Sequence, residues 1–183
     1  MPVLLSILRG INVSGQKKIL MSDLKKLYKE LDFKNVQTFI QSGNVVFDSK
    51  NSALIAEKIE QKIKQKNNFD VPVIIRTLDE MEITITNNPF LKTKGIELDK
   101  LHVTYLSEIP STESIKKVKE FNFEPDTFHI IGKEIYIHCP NGYGKTKLTN
   151  TFFEKKLNVT ATTRNWKTSN ELLKIMKEVY LLK

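Results

Sequence analysis

Cysteine is almost absent from this chain. Cys139 stands alone, which excludes an intramolecular disulfide and fits a reducing compartment. Proline and glycine are sparse too, six and seven in 183 residues; with 40% hydrophobic and 27% charged residues the balance is globular, not disordered. No apolar run approaches the ~18 residues that span a bilayer. The opening "MPVLLSILRG" lacks the basic leader and small-residue cleavage site of a signal peptide. Also missing are a glycine-rich dinucleotide fingerprint, a Gly-x-Ser-x-Gly elbow, a Cys–His nucleophile pattern and metal-spaced carboxylates. These absences lead to the expectation of a cytoplasmic protein with no cofactor, no membrane partner and no catalytic residue that can be named.

What is present is positive charge, unevenly placed. The net charge is +8, and from residue 140 onward nine Lys and Arg face three Glu. Such asymmetry favours an anionic partner: nucleic acid, a phosphorylated small molecule or an acidic protein.

Periodicity gives one order of elements twice. "VLLSIL" reads as a buried strand. "MSDLKKLYKELDF" reads as an amphipathic helix, with Ser22 as its N-cap. "VQTFIQ" and "NVVFDS" make a hairpin about Ser42-Gly43, "SALIAEKIEQKIKQKNNF" a second helix from Ser52, and "VPVIIRT" a closing strand. The second half repeats this with "KLHVTYL", "STESIKKVKEF", a hairpin about Gly132-Lys133, the helix "KTKLTNTFFEKKL" and the strand "VTATTR". The predicted fold is therefore α+β: two tandem ferredoxin-like βαββαβ units with antiparallel sheets, plus an extra C-terminal helix. Residues 1–78 form the first unit, 79–99 a linker with a short helix, 100–164 the second unit and 165–183 the final helix. The first strand is apolar on both faces, so its open face is expected to be covered.

Three blocks, "LRGINVSG" (8–15), "TFIQSGNVVFDS" (38–49) and "GYGKTKLTNTFFEKKLNVTATTRNWKT" (142–168), resemble a widespread bacterial family known as domain of unknown function family 1697. In this chain "VSGQKK" and "GYGKTK" vary around the family's glycine-basic loops. The resemblance implies two ferredoxin-like halves, and no established activity, substrate or cofactor.

"CPNGYGKTK" (139–147) carries the Gly-Lys-Thr of a phosphate loop, but Cys139 and Pro140 stand where its first glycine and a backbone donor belong. A weaker anion cradle is the expectation there. Gly142 to Gly144 would open the helix, with Lys145, Thr146 and Lys147 at its start and Arg164, Asn165 and Lys167 arriving from the last strand. Trp166 beside them reads as a core anchor. A second polar edge gathers Arg9, Asn12, Gln41 and Asn44, flanked by Lys17 and Lys18, where the end of strand one meets the first hairpin. On the bland reading Asn12 caps a loop and Gly43-Asn44 supplies hairpin geometry. Alternation also puts His102, His129 and His138 on one sheet face, where three imidazoles can hold zinc, but no carboxylate points there, and the face reads first as a polar open face or one packed against a neighbour.

These features rank three functions. The first is phosphate or nucleic-acid binding at the basic C-terminal edge. Next comes an enzyme acting on a small phosphorylated or nucleotide-like metabolite in a cleft between the halves, using the Arg9–Asn44 edge, and last a protein interaction module.

Overall fold

Six consecutive apolar or small residues, Val3–Leu8, make β1, and all six are buried. In the computed structural model, which describes residues 1–50 and 54–182, β1 is flanked on both sides by antiparallel partners. The first sheet has the order β2-β3-β1-β4, with β2 at Lys34–Phe39, β3 at Asn44–Asp48 and β4 at Val73–Thr77. Helices α1 (Met21–Glu30) and α2 (Ile55–Asn67) complete the βαββαβ unit. The expected α2 residues Ser52 and Ala53 lie outside the described residues, as does Lys183, expected in the final helix.

Period-two alternation sorts β1 onto two faces. Leu4 and Leu8 join Val45 and Phe47 in a core with Leu24, Leu27 and Tyr28 of α1 and Ile59 and Ile63 of α2. Ser6 lies on this same face and is satisfied by a 2.6 Å hydrogen bond with the Tyr28 hydroxyl. Burial pushes the Tyr28 phenol well above its ordinary pKa, so it stays protonated. Leu5, Ile7, Val46 and Ile74 occupy the other face and are at most 2% exposed, so that face is also closed to solvent.

The second sheet repeats the order as β6-β7-β5-β8: β5 is Leu101–Leu106, β6 Thr127–Ile131, β7 Glu134–His138 and β8 Ala161–Asn165. Its helices are α4 (Thr112–Lys119) and α5 (Asn150–Leu157). Ser111 caps α4, its hydroxyl accepting from the Ser114 N–H at 3.2 Å. A further sign of repetition escaped the sequence reading. The fourth residue of the last strand is a buried arginine in both units, and each guanidinium donates at 2.9 Å to the carbonyl just before it, Arg76 to Ile75 and Arg164 to Thr163.

Helices α3 (Leu78–Thr86) and α6 (Trp166–Leu181) follow β4 and β8 without a break. They carry the chain between two compact units, one made of Met1–Ile83 and the stretch from Glu171, the other of Thr84–Asn170.

Three local expectations need correction. Ser22 does not cap α1: the helix begins one residue earlier, Leu20 holds the N-cap position and no side chain caps it. The fifth helix does not start at Lys145. Thr149 is the better N-cap, its hydroxyl accepting from the Phe152 N–H at 3.2 Å, so α5 starts at Asn150 and Tyr143–Lys145 form a separate 3-10 turn. The three histidines do not share a face either. Strand register sets His102 opposite Ile137 and His138 opposite Leu101, so His102 lies on the α-helical side and His129 and His138 on the other.

Candidate ligand-binding site

In a duplicated fold, the chain that one unit has and the other lacks is informative. Residues 107–111 suffice to join β5 to α4, whereas residues 9–20 join β1 to α1. Gly132-Lys133 turn the second hairpin, whereas residues 40–43 turn the first. Both additions lie on the edge where β1 ends: Leu8, its last residue, donates its N–H to the Gly43 carbonyl at 2.8 Å.

Asn12 ties the two together. Its side-chain oxygen accepts from the Ile19 N–H, and its amide nitrogen donates to the Ile19 and Gln41 carbonyls, all at 2.9 Å. Asn12 also adopts φ +55°, a left-handed conformation asparagine tolerates better than most residues. Ser14, Lys17 and Ile40 are left-handed as well, at φ +50°, +44° and +50°. For the β-branched Ile40 this is costly. Lys17 holds the far side of the loop, its ammonium donating to the Asp70 carbonyl at 2.6 Å.

The tied loop and turn wall a cavity of about 470 Å³, within the range of small-molecule sites. Asn12, Lys18, Gln41 and Asn67 supply polar walls, Asp23 a carboxylate, and Ile19 to Met21 an apolar side. Because α1 has no capping side chain, the first-turn N–H groups of Met21 and Ser22 have no intrahelical acceptor, and Met21 lines the cavity. The Lys18 and Gln41 side chains are exposed there, while Asp23 lies 3.5 Å from the Lys26 ammonium.

Of the four residues expected on this edge, the structure brings Asn12 and Gln41 to the cavity. Asn44 is fully buried and holds the hairpin, donating to the Phe39 carbonyl and the Ser42 hydroxyl. Arg9 is half-buried; its N–H donates to the Pro72 carbonyl, and it does not line the cavity. Sequence reasoning missed Asp23 and Asn67, and the signal for the open helix end was hidden by Ser22, which looked like a cap.

The basic C-terminal edge is assembled differently from expectation. Loop 139–149 reaches the middle of β8 through neutral groups: the Tyr143 hydroxyl donates to Thr163 at 3.0 Å, and Thr163 in turn donates to Asn150 at 2.6 Å. The Tyr143 ring stacks on His102, 4.6 Å between centroids, and burial holds the His102 pKa below its ordinary value. Arg164 is buried, its guanidinium bonded to the Thr162 hydroxyl and the Thr163 carbonyl, so it is not presented beside Lys145. The Asn165 side chain caps α6, accepting from the Thr168 N–H at 2.7 Å, and Trp166 is buried as a packing residue. Thr146 accepts from the Leu148 N–H at 3.0 Å. Lys145 and Lys147 are exposed and line a separate groove, to which Arg164, Asn165 and Lys167 do not contribute. Cys139 is buried, and burial pushes its thiol up to about 11, which makes it unreactive at neutral pH.

His129 and His138 pack about Phe90, at 4.9 and 5.8 Å between ring centroids. Among the described residues no group of three His, Cys, Asp or Glu converges as a metal site would, and no helix is long and apolar enough to cross a membrane.

Residues 1–136 match a family described as protein of unknown function (DUF1697), a stretch that stops short of the 142–168 block. No curated protein matches the chain. Among solved structures, a conserved bacterial protein, SP0830 from Streptococcus pneumoniae, is similar at 22% identity with a TM-score of 0.78, covering 96% of this chain and 98% of its own. At that identity the likeness speaks for the fold alone.

Proposed function

The chain belongs to this family of unknown function, and we propose that it binds a small phosphate-bearing ligand, a nucleotide or sugar phosphate, in the cavity at the N-terminus of α1. One observation carries the reading. The fold closes the same two connections in the second unit with short, ordinary turns, yet the first unit spends longer chain and four left-handed non-glycine residues there. Strain of that kind costs on the order of 1 kcal/mol or more per residue and persists where it holds a site.

The chemistry of the walls selects the ligand class. The open N–H groups of α1 and the Lys18 ammonium attract a phosphate. Gln41 and Asn67 offer amides to a heterocycle or hydroxyls. Asp23 would oppose a bare anion but accepts hydrogen bonds from the hydroxyls of a sugar, so a ligand carrying both groups satisfies the set. The apolar side at Leu20 and Met21 takes the ligand's ring.

The test is a melting screen of the whole protein against nucleotides and sugar phosphates. A ligand present at 100 times its Kd stabilises by about 2.7 kcal/mol, and Lys18→Ala should abolish most of the shift. Absence of any shift with millimolar ligands, or a shift that Lys18→Ala leaves intact, rejects the reading.

A further inference from the structure

The second unit has its own extra chain, on the other edge of its sheet. Residues 139–149 join β7 to α5, where residues 49–54 join β3 to α2. The longer loop is tied to its sheet by the Tyr143–His102 stack and the Tyr143–Thr163 hydrogen bond, and it turns at Gly142, φ +88°. That anchoring directs Lys145 and Lys147 into a groove of about 470 Å³, whose other wall includes Phe123, Glu124 and Asp126. Neither lysine forms an ion pair with those carboxylates among the described residues.

Phe123 is not an isolated wall residue. Its ring lies 6.0 Å from Phe121 at an interplanar angle of 24°, and 5.0 Å from Phe152 in an edge contact. Phe121 is 43% exposed, unusual for phenylalanine, and the Lys156 ammonium lies 4.7 Å from its ring centre. Two cations thus share a groove with Phe123, which contacts the half-buried Phe152 and the exposed Phe121, and a third cation sits over Phe121.

We propose that this strip, Lys145, Lys147, Phe123, Phe121, Phe152 and Lys156, binds single-stranded nucleic acid. Lysines follow the phosphates while an exposed ring stacks on a base, the arrangement by which such strands are held without sequence readout. Lysines outnumber carboxylates along the strip, Lys145, Lys147 and Lys156 against Glu124 and Asp126, and in residues 141 to 157 the one glutamate, Glu154, has its carboxylate accepting from the Ala161 N–H at 3.1 Å. Glu124 and Asp126 fit the same occupant, since carboxylates accept from exocyclic amines of bases. A polyanionic peptide would use the lysines but gain nothing from an exposed ring. The proposal is independent of the α1 cavity, which lies in the other unit.

Fluorescence anisotropy of the full protein with a labelled 15-nucleotide DNA or RNA strand tests it. Binding should weaken about tenfold or more in Phe121→Ala, since a stacked base is lost. In the double variant Lys145→Ala/Lys147→Ala, the slope of log K against log salt should fall by about 1.4, two phosphate contacts at ~0.7 each. Far-UV circular dichroism confirms that both variants fold, and Lys18→Ala should bind the strand as the wild type does. No binding at 50 mM salt overturns the proposal. So does equal affinity for polyglutamate, or a Phe121→Ala variant that binds normally.

Discussion

The asparagine that joins the first loop to the first hairpin offers a direct measurement of what the α1 cavity costs and what holds it. Replacing Asn12 by glycine keeps the left-handed backbone at φ +55° accessible and removes three hydrogen bonds, two to Ile19 and one to the Gln41 carbonyl. The two partly buried bonds are worth about 1 kcal/mol each and the solvent-facing one about 0.5, so Asn12→Gly should destabilise by roughly 2.5 kcal/mol. Asn12→Ala loses the same bonds and, unlike glycine, keeps a Cβ in the left-handed region without a polar side chain to bond locally, about 1 kcal/mol more. In a chain of 183 residues, 1 kcal/mol moves a melting midpoint by roughly 2–4 °C. Melting followed by circular dichroism should therefore rank wild type above Asn12→Gly above Asn12→Ala. Amide exchange adds a local readout, because the Ile19 N–H is protected by Asn12 itself and should exchange faster in both variants. If both variants melt within 1 °C of the wild type, or alanine proves the milder change, the loop is not pinned as described.

Two further outcomes follow from the packing. At Gly43, φ is +77° and an added Cβ would sit 2.7 Å from Ile11 Cδ1 and 2.8 Å from Leu8 Cβ, so Gly43→Ala combines backbone strain with overpacking and should cost about 2–4 kcal/mol; wild-type melting would refute the close approach. His102 titrates below its unfolded value because burial disfavours the imidazolium. The unfolded chain then binds the proton first as pH falls, so the His102 contribution is complete above about pH 6.5 and is lost as pH drops toward the folded pKa. The melting temperature of His102→Phe, which keeps the stack on Tyr143, should fall less than that of the wild type between pH 7.5 and 5.5; parallel curves would show that His102 is not buried as a neutral ring.

How much of this was legible in the residues follows from what each signal reports. Alternation and 3.6-residue periodicity report which side of an element is buried, and they yielded both βαββαβ units and the doubly apolar β1. The same signals are blind to register. His102, His129 and His138 looked coplanar because each strand alternates, but the pairing of Leu101 with His138 fixes which residues face together. Helix starts failed for a related reason. Ser22 and Lys145 each stood before an apolar pattern, yet a cap is defined by whether its oxygen reaches an N–H two or three residues on, and only Thr149 does so ahead of α5. Of the two candidate edges, the first brings Asn12 and Gln41 to one cavity, while the second leaves Lys145 and Lys147 in a groove without Arg164, Asn165 or Lys167. Side-chain roles were not legible, because Asn44 and Arg164 look like surface ligands in sequence and are buried groups bonded to their own strands and turns.

The duplication itself sharpens the functional argument. Two units with the same strand order and a buried arginine at the same strand position need no different connections to fold. Lengthening a loop costs little entropy, about 0.6 kcal/mol per doubling, so length alone would mean nothing. What separates the units is how the extra chain is held. In the first unit, asparagine hydrogen bonds and a lysine fix residues 9–20 against the hairpin turn. In the second, an aromatic stack and a hydroxyl chain fix residues 139–149 against β8. Idle loops are usually mobile surface connections, whereas both of these are cross-linked to their sheets while Lys18, Lys145 and Lys147 form no ion pair among the described residues. Backbone tied to the sheet and carrying exposed lysines is the common element of the two proposed sites, which lie on different edges of their units.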